Sequence, residues 1–169
     1  MALKKKPRVP LTASERKGII TAVESAFLKL NNLYKKIAPI FVSFGFTPQA
    51  AGVIARDLSE KVEASIIQHC DSFKKGNGHC DLGRFNTDWE VKVCKDSGLT
   101  INQSKVIDGE NYIVVNYGKD TDVKRIFILW EAKDSFFSGK KSNSNARRLN
   151  MEAGQNNIEI IFPAPQLPK

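Results

Sequence analysis

Between residues 81 and 94 the chain reads Asp81-Leu-Gly-Arg-Phe-Asn-Thr-Asp88-Trp-Glu90-Val-Lys92-Val-Cys94, in which the carboxylates of Asp81 and Glu90 and the amine of Lys92 have spacings that suit metal-assisted hydrolysis. Successive side chains of a strand leave on opposite faces. Trp89, Val91 and Val93 therefore share a face suited to a core, and Asp88, Glu90, Lys92 and Cys94 share the other. Gly83 and the Asn86-Thr87 pair supply a bend, so a hairpin can bring the carboxylates of Asp81 and Glu90 to one hard cation, which takes oxygen ligands. Held by Asp81, Glu90 and the carbonyl oxygen of Val91, such a cation would polarise a phosphodiester and acidify a bound water. Lys92 would orient or deprotonate that water and stabilise the charge that develops in the transition state. The expected ion is Mg2+, with Mn2+ as the alternative.

The elements that must position these groups are readable from periodicity. Thr12-Ala-Ser-Glu15 has capping-box spacing. Behind it Ile19, Val23, Phe27, Leu30, Tyr34 and Ile37 recur at steps of three and four, which predicts a helix ending near Pro39. A second helix is expected from Thr47 as N-cap and Pro48 in the first turn, with a stripe through Ile54, Leu58, Val62, Ile66 and Cys70 and Ile67 beside it. It stops before Gly76-Asn77-Gly78. The texture then changes to strands at Trp89–Cys94, Tyr112–Tyr117, Ile126–Trp130 and Ile158–Phe162, with a short helix over Asn102–Ile107 and a polar basic loop or frayed helix over Gly139–Arg148. Two helices followed by strands predict an α/β (α+β) domain with a mixed central sheet of about five strands flanked by helices. Residues 1–11 read as a mobile basic arm and residues 12–169 as a single domain.

An acid, a bend-containing gap of about ten residues, and Glu-x-Lys on a core strand resembles the pattern of the PD-(D/E)xK nucleases, a superfamily that includes many type II restriction endonucleases. The matching residues are Asp81, Glu90 and Lys92; Cys80 stands where a proline often precedes the first acid. The family often adds a glutamate from the preceding helix, and Val62-Glu63-Ala-Ser-Ile66-Ile67 has that context, so the resemblance implies Glu63 as a supporting acid, with Glu60 as fallback. It spans roughly residues 55–130 and takes in a linker containing Gln103. It implies a restriction-endonuclease-like fold and a metal-dependent endonuclease acting on double-stranded DNA. Cutting both strands with one site per chain calls for a two-fold homodimer, for which the first helix is the expected element.

Rival constellations exist. Glu131-Ala-Lys133 repeats the Glu-x-Lys spacing with Asp120 or Asp122 upstream, yet no turn signal separates the acids, and nine strand steps span roughly 30 Å. Glu131 and Lys133 are better read as strand-end charges. His69-Cys70 and His79-Cys80 are zinc-ligand types. Adjacent residues seldom share one ion, however, and Cys70 falls on a core stripe.

A net charge of +8 favours a polyanionic partner without separating a reader of DNA from a cutter. Lys140, Lys141, Arg147 and Arg148 are the candidates for gripping phosphate outside the hairpin. The longest apolar run, Ile37–Phe46, is too short to span a bilayer. Three cysteines, an odd count, suit a reducing cytoplasm. The alternatives left standing are a DNA-binding protein with a dead site, a junction or repair nuclease, and a module whose basic surface meets an acidic protein.

Overall fold

The computed structural model describes residues 8–46, 58–78, 80–95, 98–101, 108–118, 121–139 and 146–163. Helix α1 spans Ala13–Ser43 and α2 spans Leu58–His69. The strands are β1 (Lys74–Lys75), β2 (Leu82–Arg84), β3 (Thr87–Lys95), β4 (Thr100–Ile101), β5 (Asn111–Tyr117), β6 (Val123–Leu129), β7 (Arg147–Arg148) and β8 (Ile158–Phe162). Six of them form a sheet in the order β1-β2-β3-β5-β6-β8, and β4 pairs with β7 in a small second sheet. Within the large sheet only the β3–β5 pairing is parallel, so the sheet is mixed and the fold is α+β.

The capping box forms as expected: the Thr12 side chain accepts from the Glu15 N–H and the Glu15 carboxylate accepts from the Thr12 N–H. The helix does not end near Pro39 but runs through it to Ser43. A proline inside a helix loses its backbone donor and crowds the carbonyl four residues back, at about 3 kcal/mol, which the turns on either side offset here. The N–H groups of Phe44, Gly45 and Phe46 bond back to the carbonyls of Phe41 and Val42 and close the end.

Apolar stripes set the layers. Ile19, Val23 and Phe27 of α1 and Leu58, Val62 and Ile66 of α2 are buried against one face of the sheet, with Trp89, Val91, Ile113, Val115, Ile126 and Ile128. The opposite face carries Tyr112, Val114, Phe127 and Leu129, covered by Leu99, Ile101, Phe136, Phe137 and Leu149. Every residue of β5 is buried, as in a strand sandwiched on both sides. Burying each such large side chain stabilises the fold by about 1.5–3 kcal/mol.

Two further expectations are corrected. Residues 147–148 are a strand paired with β4 and not part of a loose loop, because Arg147 and Arg148 stand opposite Ile101 and Thr100. The basic arm is not mobile throughout: Leu11 is buried, the carbonyls of Val9 and Pro10 accept from Arg84, and Arg8 lies over Trp130. A buried guanidinium with donors to spare holds the arm down. The large sheet has six strands, in keeping with the expected mixed sheet of about five, the shortest being the two-residue β1. The expected start of the second helix at Thr47 and Pro48, the helix over 102–107, Gln103, His79, Asp120, Lys140 and Lys141 lie outside the described residues.

Candidate active site

Strands β2 and β3 form a hairpin in which Leu82 faces Trp89, Gly83 faces Asp88 and Arg84 faces Thr87. Phe85 and Asn86 make its two-residue loop, both with positive φ, the backbone twist that lets two strands return side by side. The bend therefore falls between Asp81 and Glu90 as expected, one residue earlier than the Asn86-Thr87 pair. Because β2 stops pairing at Leu82, β3 from Glu90 onward has no strand on that edge among the described residues.

Asp81 reaches across the opening. Its Oδ2 accepts from the backbone N–H of Val91 at 2.8 Å and stands 3.8 Å from Lys92 Nζ. A strand residue directs its N–H and its C=O to the same edge. The Val91 carbonyl therefore leaves toward Asp81, where a ligand role requires it. Glu90 lies on the face opposite the core residues Trp89 and Val91, and its Oε2 accepts from Lys92 Nζ at 2.6 Å. Glu90 itself is buried, while Asp81 and Lys92 are part-exposed.

Electrostatics bind Glu63 to the same site. Burial pushes its carboxyl up to about 7, and the Asp81 charge adds to the push. Lys92 opposes it, and Glu60 and Glu90 contribute in the upward direction. Burial also raises the Glu90 carboxyl, against the pull of Lys92 and with a further push from Asp81. For Lys92, burial favours the neutral amine, but the hydrogen bond and charge of Glu90, with Asp81 and Glu63, outweigh it and hold the ammonium above its usual range. Three acids thus share one amine. Two negative charges remain uncompensated if all are ionised, which is what a divalent cation would neutralise. Glu60, the fallback, is exposed on the outside of α2.

The donor set fits Mg2+ or Mn2+ in chemistry: carboxylates and a backbone carbonyl, with no sulfur or imidazole. Among the described residues no three of His, Cys, Asp and Glu are gathered closely enough to form a metal cage as they stand. The Asp81 and Glu90 carboxylates are turned onto the Lys92 ammonium instead.

Other expected residues fall elsewhere. Arg147 is buried; its guanidinium donates to the Asp134 carboxylate and to the carbonyls of Asp134 and Ser138. It holds the 134–138 loop and does not present to a phosphate, a correction that follows from its lying on the inner side of β7. Arg148 is exposed. The rival pair is separated by the whole of β6: Asp122 pairs with Lys124 at one end, while the Glu131 N–H donates to Asn111 at the other. Cys70 Sγ faces the Glu15 carbonyl, the His69 ring bonds the Ser65 carbonyl, and Cys80 Sγ lies against Asp88, so the zinc-type residues point to separate partners.

Sequence reasoning missed Glu110 and Tyr112. The parallel register sets Tyr112 beside Glu90, and its hydroxyl donates to Glu110 Oε2 at 3.0 Å. Burial raises the Glu110 carboxyl, and the charges of Glu90 and Asp88 raise it further. Only the β3–β5 register brings this fourth acid near, and no spacing along the chain announces it.

No protein-family model matches the chain, and no curated protein or solved structure resembles it significantly. Among the described residues no helix is long and apolar enough to cross a membrane.

Proposed function

We propose that the protein is a metal-dependent endonuclease that hydrolyses phosphodiester bonds of double-stranded DNA, in the manner of the PD-(D/E)xK nucleases. One observation carries this reading: Asp81 and Glu90 from the two arms of a hairpin, and Glu63 from α2, converge in one electrostatic field around Lys92. A structural ion pair needs one carboxylate and one amine; two further acids, partly buried, around the same amine are costly unless a cation is to be bound.

In this reading Asp81, Glu90 and the Val91 carbonyl hold Mg2+ or Mn2+, which supplies Lewis-acid activation of the phosphate and of water when bound. Lys92 then gives up its contact with Glu90 and turns to the attacking water or the phosphate oxygen, where its positive charge stabilises the transition state. Glu63, with its carboxyl near neutrality, accepts or relays a proton from the metal side. The net charge of +8 steers the chain to DNA, with Arg148, Lys140 and Lys141 as further contacts. A homodimer would deliver two sites to two strands; the exposed apolar residues Ile40, Phe41, Val42 and Phe44 at the end of α1 support that element as the contact. The cytoplasm is the proposed compartment, on the cysteine usage.

The test is cleavage of supercoiled plasmid and long linear DNA in Mg2+ or EDTA, beside Lys92→Ala. Discrete metal-dependent products lost in the variant support the reading. A second reading, a DNA-binding protein whose site is closed by the Lys92–Glu90 contact at 2.6 Å, predicts equal binding in Mg2+ and EDTA and no products.

A further inference from the structure

The hairpin that carries the candidate site ends in an unusual pair of residues. Two-residue loops of this kind favour Asn, Asp or Gly at both central positions, since both require positive φ. Asn86, at φ 59°, fits; Phe85, at φ 47°, does not. A bulky side chain there is a backbone outlier, and such strain persists where the surroundings or a function require it. Burial does not explain Phe85, which is 58% exposed. Beneath it the Arg84 guanidinium stacks at 4.6 Å from the ring centroid, itself locked by two hydrogen bonds to Glu15. The ring is thus an exposed aromatic plate on a rigid support.

The plate borders a groove of about 590 Å3, whose other wall carries Lys74, Lys75 and Asn77. Both lysines are exposed and have no ion pair among the described residues. The groove continues to Cys80 and Asp88, the neighbours of Asp81 and close to Glu90 in the chain. From the loop to Glu90 is about 10–15 Å at about 3.3 Å per strand residue, at most three to four nucleotides, the number for a strand that keeps the duplex rise of about 3.4 Å each.

We infer that Phe85 is a stacking platform for an unpaired base of the DNA strand whose phosphate reaches Asp81 and Glu90, with Lys74 and Lys75 gripping the intervening backbone. The substrate class is then DNA with an unstacked base a few nucleotides from the scissile bond. The inference rests on the proposed function for the identity of the polymer.

The test uses the full chain carrying Lys92→Ala, in EDTA, with single-stranded and gapped duplex oligonucleotides containing 2-aminopurine. Stacking quenches or shifts the probe's fluorescence at one position. Adding Phe85→Ala or Phe85→Gly should weaken binding by roughly 5- to 150-fold and abolish that signal, while Phe85→Trp retains both. Phe85→Gly relieves the positive-φ strain, so its melting temperature should hold while its affinity falls, a combination that a merely structural Phe85 would not give. Unchanged binding by Phe85→Gly, in a parent that does bind, overturns the platform and leaves the nuclease reading standing. Binding by the parent to plain duplex but not to these oligonucleotides overturns the platform alone; no binding to either, in EDTA or in Mg2+, overturns both.

Discussion

Asp81 Oδ2 accepts a hydrogen bond from the backbone N–H of Val91, ten residues away, at 2.8 Å. The contact stands where the β2–β3 ladder has run out, and a side chain does there what a strand would otherwise do. The same carboxylate is thereby held 3.8 Å from Lys92 and in the field of Glu63. Closing the hairpin and assembling the candidate site are consequently one event.

Asp81→Asn retains an oxygen for the Val91 N–H but loses the charge. The fold should survive, cleavage should fall by about 10²–10³-fold, the scale for one preorganised electrostatic group, and the Glu63 carboxyl should titrate lower because the Asp81 charge no longer pushes it up. NMR titration of Glu63 beside a plasmid assay checks all three. An unmoved Glu63 would break the link between the two acids.

Glu63 titrates near about 7 in the fold against 4.5 ordinarily, so the folded chain keeps a proton that the unfolded chain has lost between those values. Stability must therefore fall as pH rises from about 4.5 to about 7, and stay lower above. Glu63→Gln should melt higher than the parent above about pH 7, by about 2–4 °C for each kcal/mol recovered, and equally at about pH 4. Added Mg2+ should narrow the gap, since the cation stabilises the ionised acid. Melting curves in parallel, with and without the ion, decide it.

Arg84 and Glu15 form the opposite case. Burial would raise the Glu15 carboxyl, but Arg84, Ser72 and the Thr12 N–H outweigh it and bring it down to about 2. Its contribution is complete above the ordinary 4.5 and is lost as pH falls through about 2. Arg84→Met leaves the carboxylate buried and unpaired, and should cost about 3–5 kcal/mol in urea unfolding at neutral pH. It should also flatten the acid limb; a variant as acid-sensitive as the parent would exclude this pair as the cause.

Arg147→Ala should lower thermal stability, by about 2–3 kcal/mol as expected for lost charge-assisted hydrogen bonds. It should do so without changing the salt dependence of DNA binding, because the guanidinium faces Asp134 and not solvent. Arg148→Ala should reverse the pattern and reduce the salt slope by about one. A reduced slope in Arg147→Ala would return that residue to the DNA surface.

Much of the arrangement follows from short-range rules. The Thr12–Glu15 box, the stripe of the first helix, the Leu58-Val62-Ile66-Cys70 part of the second and the placing of Trp89-Val91 and Glu90-Lys92 on opposite faces depend on local periodicity, and each formed. The readings that failed depended on distant partners. Pro39 lies inside a helix whose following carbonyl contacts sustain it. Arg147 looked like a loop cation until β7 met β4 and turned it inward. Residues 8–11 looked loose until Arg84, 73 residues beyond Leu11, claimed their carbonyls.

By itself the sequence determined which faces are apolar, where the chain bends and which residues could do chemistry, because periods of two and of about 3.6 are properties of neighbouring backbone units. Tertiary structure decided who meets whom. The early end of β2 opens an edge where Asp81, Glu90, Lys92 and Glu63 share one field, and the parallel β3–β5 register adds Glu110 and Tyr112 beside Glu90. Strand order and register arise from burial of whole faces, and from backbone groups finding partners far along the chain, so no local window contains them.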